Sequence, residues 1–177
     1  MDTPCETAPI RLQTTGIETG PATPSESAGQ IYRRILVGTD FSAASTSAFD
    51  QGLKLARQSN AELLVAHSEA IPNWIGFMPP ESYGEWELCC RTEAEKSIGA
   101  LIQKAREKGV NAHMLLLEGH ADDAILDAAE RLHVDLIVIG THGRRGVLRL
   151  LMGSVATHVV SRARCAVLTA RPSDRAS

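Results

Sequence analysis

Five short apolar runs constrain this chain more than anything else in it: Ile35-Leu36-Val37, Leu63-Leu64-Val65-Ala66, Met114-Leu115-Leu116-Leu117, Leu136-Ile137-Val138-Ile139 and Ala166-Val167-Leu168. Every position in them is apolar. A strand covered on both faces reads this way, whereas a strand with one wet face alternates. Four stretches between the runs repeat their apolar residues at steps of three and four instead. Phe49, Leu53 and Ala56 recur between about 43 and 58, with Ser42 placed to cap that helix. Ile98, Leu101, Ile102 and Ala105 recur in a second stretch, which starts at about Glu81 or later and ends at Lys108, where Gly109 stops it. Ala124, Ile125, Ala128, Ala129 and Leu132 mark the third, and Val155, Ala156, Val159, Val160 and Ala163 the fourth. This alternation predicts right-handed βαβ units, hence an α/β fold with a parallel sheet and helices on both faces.

The 177 residues suit one domain with a substantial core. Residues 1–30 are rich in Thr, Pro, Ser, Glu and Gly and lack apolar periodicity, so they are expected to form a flexible tail. The domain is expected over 31–171, with a short second tail at 172–177. Residues 70–88 break the regular pattern. Pro72, Trp74, Phe77, Pro79, Pro80, Tyr83 and Trp86 gather there, in a chain with only 4% aromatic residues. A loop folded back over the core is the expectation, with a flap or an interface as the alternatives.

Composition removes several classes of function. No apolar run approaches the roughly 20 residues of a membrane span. The opening residues show no basic segment followed by an apolar stretch, so a secretory signal is not expected. Cys5, Cys89, Cys90 and Cys165 show neither a disulfide framework nor metal-ligand spacing, which suits a reducing, cytoplasmic setting. The net charge of −3 is uneven: residues 140–177 hold seven arginines against Asp174. The residues before them are acidic on balance, so no basic face suits duplex nucleic acid. The arginines could still meet a smaller anion.

In such a sheet the ligand crevice lies beyond the carboxyl ends of the strands. Gly38-Thr39-Asp40-Phe41-Ser42 follows the first run, His67-Ser68 the second and Glu118-Gly119-His120 the third. Gly140-Thr141-His142-Gly143-Arg144-Arg145-Gly146 follows the fourth, and Gly153-Ser154 then opens the last helix. Glycines let backbone N–H groups approach an anion, and a helix N-terminus adds unpaired N–H groups with partial positive charge. The Ser154 hydroxyl could cap that helix or meet a phosphate oxygen, and Arg144, Arg145 and Arg149 add charge. The chain has no P-loop and no Gly-x-Gly-x-x-Gly, so neither a P-loop NTPase nor a standard dinucleotide enzyme is expected. His67, His120 and His142 fall at strand ends without the spacing or carboxylates of a metal site, so none is expected. Asp122-Asp123 reads as complementing a helix dipole. Cys89-Cys90 beside Arg91 reads as packing rather than redox chemistry.

Three segments carry a family resemblance: Arg34-Ile35-Leu36-Val37-Gly38-Thr39-Asp40-Phe41-Ser42, Asp135 through Gly143, and Leu151-Met152-Gly153-Ser154-Val155-Ala156. Together with the spacing Gly-x2-Gly-x9-Gly-Ser, they make the chain from about Arg33 to Arg171 resemble a universal stress protein of the ATP-binding type. The resemblance implies a five-stranded sheet of order 3-2-1-4-5 (a Rossmann-like, flavodoxin-like sandwich) with ATP across its carboxyl edge. It further implies that Asp40, with Thr39 beside it, holds the ribose or the polar edge of adenosine. By the same likeness Ser68 meets adenine, and Ile139 and Gly140 line the nucleoside. Gly143, Gly153, Ser154, Val155 and Ala156 would contact phosphates, largely through backbone amides. Ser68 departs from the aliphatic residue frequent at that place and is a poorer wall for a purine. The family commonly pairs as homodimers through the last strand, here Ala166 to Ala170.

The expected function is therefore a nucleotide-responsive stress or signalling dimer without rapid catalysis. Asp40 could position Mg2+ on ATP or act as a base, but no second group to activate water is evident, so no catalytic residue is assigned. Two alternatives stand beside it: a slow ATP hydrolase using Asp40 and Ser154, and a nucleotide-independent interaction module presenting residues 70–88.

Overall fold

The computed structural model describes residues 31–69, 75–141 and 152–172. Both expected tails, apart from Pro172, fall outside them. So do Pro72, Trp74, His142, Gly143, Gly146 and the three arginines 144, 145 and 149.

The elements run β1 (Arg34–Gly38), α1 (Ala43–Ser59), β2 (Glu62–Glu69), a short 3-10 turn (Ile75–Phe77), α2 (Pro80–Glu107), β3 (Ala112–Glu118), α3 (Ala121–Arg131), β4 (Leu136–Gly140), α4 (Ser154–Arg162) and β5 (Ala166–Ala170). All strands pair in parallel in the order β3-β2-β1-β4-β5.

The continuous apolar runs follow from this arrangement. Successive strand residues point to opposite faces, and each face carries a separate core. Ile35, Val37, Leu63 and Val65 pack with Phe49 and Leu53 of α1 and Ile98 and Ile102 of α2. Leu36, Leu64 and Ile137 pack on the other face with Ile125 and Ala128 of α3 and Val159 of α4. Each such side chain contributes about 1.5–3 kcal/mol when fully buried, so a polar residue on either face of β1, β2 or β4 would be costly.

The helix ends follow from local chemistry. The Ser42 hydroxyl accepts from the Ser45 amide at 3.3 Å, and Asn60 closes α1 in the left-handed region. Pro80 and Glu81 open α2, where a missing N–H and a negative charge are both favourable. Gly109 follows α2 at φ +76°, as its position predicts.

The aromatic segment corrects one expectation. Residues 80–88, with Tyr83 and Trp86, are the first turns of α2 rather than part of a loop. Proline and aromatic density looked like irregular structure, but Pro80 stands at a helix start, where proline is tolerated. No helix among the described residues is long and apolar enough to cross a membrane.

Candidate functional site at the carboxyl edge of the sheet

Strands β1 and β4 are neighbours, with Gly38 in register with Ile139. The chain leaves β1 for α1 on one face and β4 for α4 on the other. Such a reversal opens a crevice between the two strand ends. The turn after β1 is tied by its own side chains. The Thr39 amide donates to the Ala66 carbonyl at 2.8 Å. The Phe41 amide donates to Thr39 Oγ1 at 3.1 Å, and the Ser42 amide to Asp40 Oδ1 at 3.1 Å. Phe41 takes φ +62°, a left-handed conformation uncommon for a bulky residue. The turn lays its ring against His67, with centroids 4.7 Å apart. His67 Nδ1 in turn lies 2.8 Å from the Thr39 carbonyl. The first two strand ends thus form one braced unit.

Across the crevice, Gly153 is the cap residue of α4, and Ser154 is its first helical residue. Of the two roles expected for the Ser154 hydroxyl, capping the helix or meeting a phosphate oxygen, the first is therefore not the one seen, and among the described residues no side chain caps α4. The Gly153 amide donates to the Thr141 carbonyl at 2.7 Å, and the Thr141 amide to the Ala170 carbonyl at 2.8 Å. The Gly153 N–H is thus held within the loop, at the place where the resemblance expected a phosphate contact. The first intrahelical bond runs from Thr157 to Gly153 at 2.9 Å. The amides of Ser154, Val155 and Ala156 precede it, as the leading amides of any helix do.

Gly140 has a packing reason of its own. A Cβ there would lie 2.8 Å from the Ala44 carbonyl carbon and 2.9 Å from the Ser45 nitrogen. The residue lets α1 start directly on β4. Ile139 is 6% exposed and belongs to the α3–α4 core, so its side chain supports the edge from below.

A cleft of about 840 Å³ opens beside the crevice, between the carboxyl ends of β2 and β3 and the first half of α2. Phe41, His67 and Ser68 line its inner end, and Tyr83, Trp86 and Arg91 line its outer wall. The Ser68 hydroxyl donates to the Gly119 carbonyl at 2.7 Å. His67 was visible in the sequence as a strand-end histidine. The Phe41 ring was not singled out, because its place depends on a positive φ that no local signal announces.

The arginines divide differently from their expected cluster. Arg162 pairs with Asp123 at 3.3 Å and Arg164 pairs with Glu130, both on α3. They sit at the far end of α4, away from the crevice. Asp122 bonds His158 of α4, so the Asp122-Asp123 pair holds two helices together as well as facing the α3 N-terminus. Among the described residues no group of three His, Cys, Asp or Glu could hold a metal ion. Cys89, Cys90 and Cys165 form no disulfide among the described residues, and burial pushes the Cys165 thiol up.

Known proteins share this architecture. The universal stress protein family model matches residues 31–171. A universal stress protein of Methanocaldococcus jannaschii is 33% identical over 144 residues, covering 80% of this chain and 83% of that protein. The solved UspA of Lactobacillus plantarum superposes with a TM-score of 0.68 at 26% identity, over 79% of this chain and 98% of its own. A universal stress protein crystallised with cAMP superposes with a TM-score of 0.59 at 26% identity, over 80% and 98%. With a family model spanning the whole alternating domain, and a crevice where the fold requires one, this chain belongs to the universal stress protein family.

Proposed function

We propose that the protein binds an adenine nucleotide, ATP with or without Mg2+, across the carboxyl edge, and that it works as a nucleotide-responsive homodimer without rapid catalysis. The observation that carries this reading is the start of α4. Three amides precede the first intrahelical bond, no side chain among the described residues caps them, and the first turn holds no acid. Such an end favours an external anion. A related protein of the same fold was crystallised with cAMP. Asp40 stands across the crevice as the group for ribose hydroxyls or a Mg2+ ion. One of its oxygens already accepts from Ser42, which favours a holding role over that of a base. Described cysteines without disulfides accord with a reducing, cytoplasmic setting.

Magnitudes limit what the phosphates can do alone. Three charge-assisted bonds at about 1.5–3 kcal/mol each give roughly 5–9 kcal/mol. Micromolar affinity requires about 8 kcal/mol net, after association costs of several more. Base and ribose contacts must supply the remainder.

Analysis of the supernatant from denatured fresh protein, followed by calorimetry with ATP, ADP and AMP, tests the reading. Ser154→Pro separates it from simple helix chemistry. Proline is welcome at a first helical position, so α4 should persist while one amide and the hydroxyl vanish. We expect at least a tenfold loss of ATP affinity for Ser154→Pro and a smaller loss for Ser154→Ala. Absence of adenine nucleotide binding below millimolar would refute the reading, and sustained ATP turnover would replace it with a hydrolase.

A further inference from the structure

Two side chains at the carboxyl end of β2 are left with acceptors alone. A carbonyl only accepts, so the contact of His67 Nδ1 with the Thr39 oxygen at 2.8 Å places the ring hydrogen on Nδ1. The neutral ring then presents Nε2 as a lone pair. Among the described residues Nε2 has no hydrogen-bond partner, and it is not one of the buried side-chain atoms left without one. His67 Nε2 is therefore reached by solvent, and the open space that His67 lines is the cleft. The Phe41 ring packs against the imidazole and holds its tilt. Ser68 obeys the same logic. Its hydroxyl hydrogen goes to the Gly119 carbonyl at 2.7 Å, leaving lone pairs for anything in the cleft.

We propose that His67, seconded by Ser68, is the specificity-determining residue of the nucleotide site, selecting purines with an amino group at position 6 over purines with a 6-oxo group. This rests on the nucleotide reading above. An amino group donates to Nε2, whereas a 6-oxo group sets lone pair against lone pair. A site built around fixed polar groups discriminates strongly, because the wrong ligand leaves them unpaired.

Calorimetry on the full chain with AMP, IMP and the 5′-monophosphate of purine riboside, which has hydrogen at position 6, tests this. His67→Asn is the chosen variant: its amide can still donate to the Thr39 carbonyl, but it places nothing where Nε2 stood. The wild type should bind AMP about tenfold or more above the other two, the worth of one hydrogen bond. In His67→Asn, AMP affinity should fall to that of the 6-hydrogen analogue, whose own affinity should not change. That pattern is a double-mutant cycle between side chain and ligand group. Ser68→Ala, which leaves the imidazole untouched, should lower the AMP-to-IMP ratio about threefold. Equal binding of AMP and IMP by the wild type would overturn this inference and spare the nucleotide reading. So would a preference that His67→Asn retains. Failure of a folded wild type to bind any of the three would overturn this inference, and failure to bind ATP and ADP as well would overturn both.

Discussion

Asp122 and His158 lock the start of α3 to α4. Burial pushes the Asp122 carboxyl up, but the His158 hydrogen bond and the backbone amides of Asp122 and Asp123 outweigh it. The carboxyl is held below its ordinary value of 3.8. A carboxyl depressed on folding adds stability that is complete above its unfolded value and is lost as pH falls through its folded value. Asp122→Asn should therefore cost about 1 kcal/mol near neutral pH. The gap between the two proteins should close below about pH 4. Urea unfolding between pH 3 and 7 measures this, and a gap independent of pH would contradict it. At this scale the sequence was only partly legible. Asp122-Asp123 at a helix start was readable as dipole chemistry, but its second partner lies 36 residues away. Arg34 was harder still. Its guanidinium is buried, bonding Glu62 at 2.9 Å and the Leu132 carbonyl at 2.9 Å, while its neighbour Arg33 stays exposed. Two adjacent arginines before an apolar run give no linear sign of which one turns inward.

Helix α1 shows why individual glycines mislead and their setting does not. Gly140 was read as access for a ligand, and it has a packing reason besides: a Cβ there would strike Ala44 and the Ser45 nitrogen of α1. Gly52 serves the same helix from within, since a Cβ there would lie 2.5 Å from Val37 Cγ2. Together they set α1 tightly on β1 and β4, and α1 leads out of the turn that holds Asp40. Gly140→Ala cannot be relieved by rotating a side chain, so we expect a loss of about 1–3 kcal/mol. Denaturant melting measures it. Nucleotide affinity should fall as well, because the helix start must move; unchanged stability would show that the close approach is not real. Boundaries of the buried strands were legible to within a few residues, because apolar runs and helix-period stretches exclude one another. The first turns of α2 were legible only as one of two readings, a helix from about Glu81 or a loop through residue 88, because proline and aromatics mark loops and helix starts alike. The sheet order also lay beyond periodicity, which cannot tell which strand neighbours which; the family resemblance supplied it.

The sheet ends in two edge strands: β3 pairs only with β2, and β5 pairs only with β4. Leu168 on β5 is 37% exposed. A bare edge invites another strand unless something blunts it. The hydrogen-bonding direction can be read from one contact. The Ala170 carbonyl accepts from Thr141 beside β4, so Ala170 faces inward and its neighbour Thr169 turns its N–H and carbonyl to the outer edge. Pairing of two copies through β5 would need that outward N–H. Thr169→Pro removes it and leaves the β4 ladder intact, since proline is accepted on an edge strand where the N–H faces away. It also keeps Leu168 in the extended conformation it already has. We expect the wild type to run as a dimer in light scattering and Thr169→Pro to run as a monomer with unchanged circular dichroism. The crevice and β5 are also coupled through Ala170, whose carbonyl holds the Thr141 amide while the Thr141 carbonyl holds Gly153 at the mouth of α4. If occupancy of the crevice is communicated to the dimer, this short chain of bonds is the route. The dimer dissociation constant should then change on adding ATP. A wild-type monomer, or a dimer that Thr169→Pro leaves whole, would remove β5 as the interface.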